Sequence, residues 1–136
     1  MLVLNDIDII KYLRPLDLLK EKEFQISDLF LGDFYLTPQE KQIIHILEKD
    51  EKIELFTTDL GFNNLIDLYS VCPPEAASLY YAKLKRLPLV TQSDITKEVC
   101  DKMGITVYKP CEALKFLNKS DEKIDYVERM LNRIEV

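Results

Sequence analysis

Histidine is nearly absent from this chain, and His45 is the only one. A Ser-His-Asp or Cys-His nucleophilic mechanism would have to run through that residue. It sits among Ile43, Ile44, Ile46 and Leu47, where packing a helix is the expected role. Cysteine is scarce as well, and Cys72, Cys100 and Cys111 form an odd set. Their spacing fits neither a disulfide framework nor a zinc knuckle, which leaves buried thiols as the reading. Glycine occurs only at Gly32, Gly61 and Gly104, and no low-complexity tract, repeat or linker interrupts the chain. No apolar run approaches the ~20 residues that span a bilayer. The apolar start, Met1-Leu-Val-Leu-Asn5, lacks a basic flank and is cut short by Asp6 and Asp8, so it reads as a strand and not as a signal peptide. The expectation is a soluble, cytoplasmic protein with no membrane partner.

What is present suits one domain. The chain has 136 residues, 47% of them hydrophobic and 31% charged, enough apolar material for a core and too little charge bias for disorder. Its 24 acidic and 18 basic residues leave a net charge of -6. Nonspecific nucleic-acid affinity comes from Lys and Arg neutralising phosphates, so an acidic chain is a poor general binder. Local clusters still occur: Lys83, Lys85 and Arg86, and Lys11 near Arg14, each readable as a solvated helix face or as a grip on an RNA backbone.

Along the chain, short apolar strands alternate with helical patterns. Strands are expected at Leu2-Val3-Leu4, Phe24-Gln-Ile26, Ile53-Glu-Leu-Phe56, Pro88-Leu-Val-Thr91 and Ile105-Thr-Val-Tyr108. Helices are expected from Asp6 to Leu13, Leu16 to Lys22, Ser27 to Tyr35, Thr37 to Lys49, Phe62 to Ser70, Pro73 onward, Ser93 or Asp94 to Gly104, after Pro110, and from Ser120. Thr37-Pro38-Gln39-Glu40 is the clearest local signal, an N-cap, a proline at the first helical position and a capping-box acid. In the last helix Ile124, Val127, Leu131 and Ile134 share a stripe, which either completes the core or forms a dimer seam. The alternation implies an α/β fold with a short, mostly parallel sheet of four or five strands, covered on both faces.

Sites in such folds gather beyond the carboxyl ends of the strands. Acids that follow strands are therefore the first candidates: Asp6 and Asp8, Asp59, and Asp94. Each suits a helix N-cap or first turn equally well. Tyr69, Tyr80 and Tyr81 could stack on bases or pack between helices.

Two segments resemble the PIN-domain family, its VapC-type toxins in particular. Met1 to Leu13 is similar to the family's opening strand and helix. Glu75-Ala-Ala-Ser-Leu-Tyr-Tyr-Ala-Lys-Leu-Lys-Arg-Leu-Pro-Leu-Val-Thr91 is similar to its acid-led, Ala-rich helix and following strand. Ser27 to Leu36 resembles the intervening helix that carries the family's second acid. The resemblance implies a three-layer α/β/α PIN-like domain over residues 1–117 and a C-terminal amphipathic helix over 118–136, packed on it or at a dimer contact. It implies four acids holding Mg²⁺ or Mn²⁺ for ribonuclease chemistry, since hard cations take oxygen ligands and activate water. Carried over, those positions fall on Asn5, Asp33, Glu75 and Ser93, two of which are neutral. Each neutral residue is followed by an acid, so a displaced catalytic set of Asp6, Asp33, Glu75 and Asp94 is the alternative. The expected functions are a ribonuclease with weakened or lost activity, or a non-catalytic RNA- or protein-binding scaffold. The implied partners are RNA, a small antitoxin-like protein and a second copy of the chain.

Overall fold

Five strands form one parallel sheet in a computed structural model that describes residues 1–6, 10, 23–32, 35–117 and 119–134. The strands are β1 (Leu2–Leu4), β2 (Phe24–Ser27), β3 (Ile53–Phe56), β4 (Leu89–Val90) and β5 (Val107–Tyr108), in the order β3-β2-β1-β4-β5. Among the described residues six helices flank it: α1 (Pro38–Lys49), α2 (Asn63–Tyr69), α3 (Pro73–Lys85), α4 (Asp94–Met103), α5 (Pro110–Phe116) and α6 (Asp121–Ile134). The helices expected over Asp6–Leu13 and Leu16–Lys22 lie outside the described residues, save Asp6 and Ile10.

Strand alternation divides the core between two faces. Leu2, Leu4, Phe24, Ile26, Ile53 and Val90 pack with Ile44 and Leu47 of α1, Ala113 and Leu114 of α5, and Ile124, Val127 and Leu131 of α6. Val3, Phe56 and Leu89 point the other way, onto Ala76, Leu79 and Ala82 of α3 and Val99 and Cys100 of α4. The fold is thus a three-layer α/β/α arrangement. β1, with all three residues wholly buried, has an apolar side chain in each half of the core.

Local chemistry sets the helix ends. Thr37 Oγ1 accepts from the Glu40 N–H at 3.2 Å and Glu40 Oε1 accepts from the Thr37 N–H at 3.0 Å, so the capping box forms in full. Ser93, not Asp94, caps α4 by accepting from the Thr96 N–H. Gly104, at φ 76, ends that helix in the left-handed region that glycine enters without strain.

Three expectations change. The helix read over Ser27–Tyr35 is a single 3-10 turn, Asp28–Leu31, because Ser27 pairs with Phe56 as the last residue of β2 and then caps the turn through its hydroxyl. His45 is exposed on α1, and Ile44 and Leu47 do the packing. Cys72 is exposed at the N-cap of α3, whereas Cys100 is fully buried. Burial, aided by the negative charges of Asp101 and Glu75, pushes the Cys100 thiol up to about 12. A thiol reagent is therefore expected to label Cys72 in the native protein and Cys100 only after denaturation, read by intact-mass spectrometry. Native labelling of Cys100 would mean that α4 does not pack on the sheet as described.

Candidate functional site at the carboxyl edge

The chain steps outward from β1 through β2 to β3, then returns to the other side of β1 as β4 and β5. The strand order therefore reverses between β1 and β4, and a crevice at the carboxyl ends of that pair is where ligands bind in open parallel sheets. Five of the six expected site residues stand beside this point. Asn5 and Asp6 follow β1, Ser93 and Asp94 follow β4 by way of Thr91 and Gln92, and Glu75 lies in the first turn of α3. Asp33, the sixth, lies outside the described residues, as do Asp8, Lys11 and Arg14.

A continuous run of hydrogen bonds joins these segments. Asp6 Oδ2 accepts from the Thr91 hydroxyl at 3.0 Å and from the Gln92 N–H. Thr91 Oγ1 in turn accepts from the Ser93 N–H at 3.2 Å. The Thr96 N–H donates to Ser93 Oγ at 3.2 Å, and the Thr96 hydroxyl donates to Glu75 Oε1. Asp6 and Glu75 are thus the two ends of one chain of donors that runs through the start of α4. Thr91 and Thr96 are both buried, so their hydroxyls have no water to fall back on.

Asp94 turns elsewhere. It pairs at 2.6 Å with Lys109, which follows β5 and also donates to the Gln92 carbonyl at 2.7 Å. The Lys109 ammonium holds the Asp94 carboxyl below its ordinary value. A depressed acid lends stability above its unfolded-state value and loses it as pH falls, so this exposed contact opens on acidification. Asp59 proves to be a local cap, accepting from the Gly61 N–H at 2.8 Å. Two of the tyrosines have neighbours of their own: Tyr81 stacks on Phe56 with centroids 3.8 Å apart, and the Asp59 carboxylate beside Tyr80 pushes that phenol above its ordinary value. Lys83 and Arg86 sit at the far end of α3, about 20 Å from this edge for a 13-residue helix. They cannot hold the same phosphate that the carboxyl edge would face.

Sequence reasoning missed Thr96 and Lys109. Thr96 stands three residues after the cap Ser93, where a capping-box acid would draw notice and a threonine does not. Lys109 had no local signal, because both of its partners lie on another strand connection.

A divalent cation would need several oxygen ligands carrying charge. Among the described residues, the buried Asn5 Oδ1 of this edge has no hydrogen-bond partner, and it is neutral. Asp6 already meets two donors, Glu75 one, and Asp94 a lysine. Among the described residues no three acidic, histidine or cysteine side chains gather as a metal centre requires. Those residues do not by themselves fit a Mg²⁺ or Mn²⁺ site. Among them, too, no helix is long and apolar enough to cross a membrane. Comparison with protein-family models, with curated proteins and with solved structures finds no match for this chain.

Proposed function

We propose that this chain is a PIN-like protein of the metal-dependent ribonuclease class, VapC-type, in which divalent-metal binding is weakened and nuclease activity is low or lost. The observation that supports it is the meeting of Asn5, Asp6, Glu75, Ser93 and Asp94 around the carboxyl ends of β1 and β4, with neutral residues at two of the four positions. Losing two charges from a four-acid set weakens a hard-cation site, because the carboxylates supply most of its attraction. The partners under this reading are RNA, a small antitoxin-like protein and a second copy of the chain.

A non-catalytic binding scaffold is the second reading, and the hydrogen bonds that already engage Asp6 and the lysine on Asp94 favour it. Mn²⁺ titration by calorimetry separates the two. The first reading expects millimolar, saturable binding that disappears in both Asp33→Asn and Glu75→Gln. Silence at millimolar Mn²⁺ would leave the scaffold alone, and micromolar affinity would overturn the claim of a weakened site.

A further inference from the structure

At the opposite, amino-terminal edge of the sheet, the ends of α3 and α4 and the turns into β4 and β5 line an open cavity of about 620 Å³. That size falls within the ~300–1,000 Å³ typical of small-ligand sites. Leu84, Leu87 and Ile105 supply apolar wall, and Lys83, Arg86 and Thr106 supply the polar groups. We propose that this cavity binds a phosphate-bearing ligand, with Arg86 and Lys83 holding the anion.

Two helix C-termini meet here, and their carbonyls would ordinarily repel an anion. Those carbonyls are already covered. The Arg86 N–H meets Lys83 O at 3.4 Å and the Leu87 N–H meets Ala82 O at 3.0 Å. The Gly104 and Ile105 N–H groups meet Asp101 O and Cys100 O, and Lys83 Nζ donates to Met103 O. Lys83, Lys85 and Lys102 stand in the last turns, where cations offset what remains of the helix dipoles.

Arg86 is not accounted for that way. Its side chain makes no hydrogen bond or ion pair with any described residue. It also holds φ 56 at the end of α3, a conformation in which glycine sits without strain and a side chain does not. An arginine there offers a planar fork suited to phosphate oxygens. On a chain of net charge -6 the local surplus of cations stands out.

The test titrates inorganic phosphate, AMP and a short oligouridylate into the full chain, with Arg86→Gly and Lys83→Met beside the wild type. Arg86→Gly should raise Tm, because glycine accepts φ 56, while weakening binding about tenfold or more through loss of a charged hydrogen-bond donor. Binding of the oligonucleotide far tighter than AMP, with steep salt dependence, would assign the phosphate to a nucleic-acid backbone. Equal binding of AMP and oligonucleotide would assign it to a free nucleotide. No saturable binding of any probe at millimolar concentration, or undiminished binding in both variants, overturns the proposal. The site shares no residue with the carboxyl edge, so a silent Mn²⁺ titration leaves it standing.

Discussion

Replacing Phe24 with alanine is expected to cost about 3–5 kcal/mol of folding stability. Phe24 is among the largest fully buried side chains and lies in the cluster that joins β1 and β2 to α1, α5 and α6. Its ring occupies the face of β2 that pairs with Leu2, so truncation removes aromatic surface and leaves a cavity that three helices cannot all close. A domain of this size is stable by only about 5–15 kcal/mol, so the loss takes a large share of the total. Urea denaturation should show a lower midpoint at unchanged slope. Phe24→Leu, which keeps most of the volume, should cost far less. Equal losses in the two variants would mean that Phe24 acts through something other than packed volume.

Asp6→Ala carries the second large effect, about 2–3 kcal/mol, from two donors deprived of a charged acceptor. The Thr91 hydroxyl is fully buried and the Gln92 N–H has no other partner among the described residues, so neither recovers its bond elsewhere. Hydrogen exchange at the Gln92 amide should speed up with the fall in stability, and Asp6→Asn should retain part of both, since its amide oxygen still accepts. A loss under about 0.5 kcal/mol, the size of an ordinary surface change, would show that Asp6 is not a structural clamp. It would then be available to a cation, and the displaced-site alternative would regain its footing.

The contrast between these residues explains what was legible in the sequence. The strands announce themselves as short apolar runs, most plainly where both faces are buried, as in β1 and β4, and the capping box at Thr37 and Glu40 closes within four residues. The alternation of such segments is enough to infer a parallel α/β sheet. Ser27 reads as helical because Leu29, Phe30 and Phe34 mimic a helical stripe, and only pairing with β3 reveals that Ser27 belongs to a strand. At the candidate site, local patterning located the residues but not their bonds. Asp6 looks like a helix-starting acid until its donors are found 85 and 86 residues away. Thr96 carries no signal of its own, since its value lies in reaching Glu75 on another helix.

The place of β1 between β2 and β4 has a consequence for synthesis on the ribosome. This central strand emerges before either neighbour, and β4 follows it only after the whole of β2, β3, α1, α2 and α3 has been made. With Asp6 and Gln92 separated by 86 residues, the delay is roughly 4 to 17 seconds at ordinary elongation rates. Throughout that interval the hydrophobic Leu2-Val3-Leu4 ribbon has at least one unpaired edge, a template for pairing with another nascent chain. Expression yield should therefore respond to translation speed and to chaperone supply more than the folded stability alone would suggest.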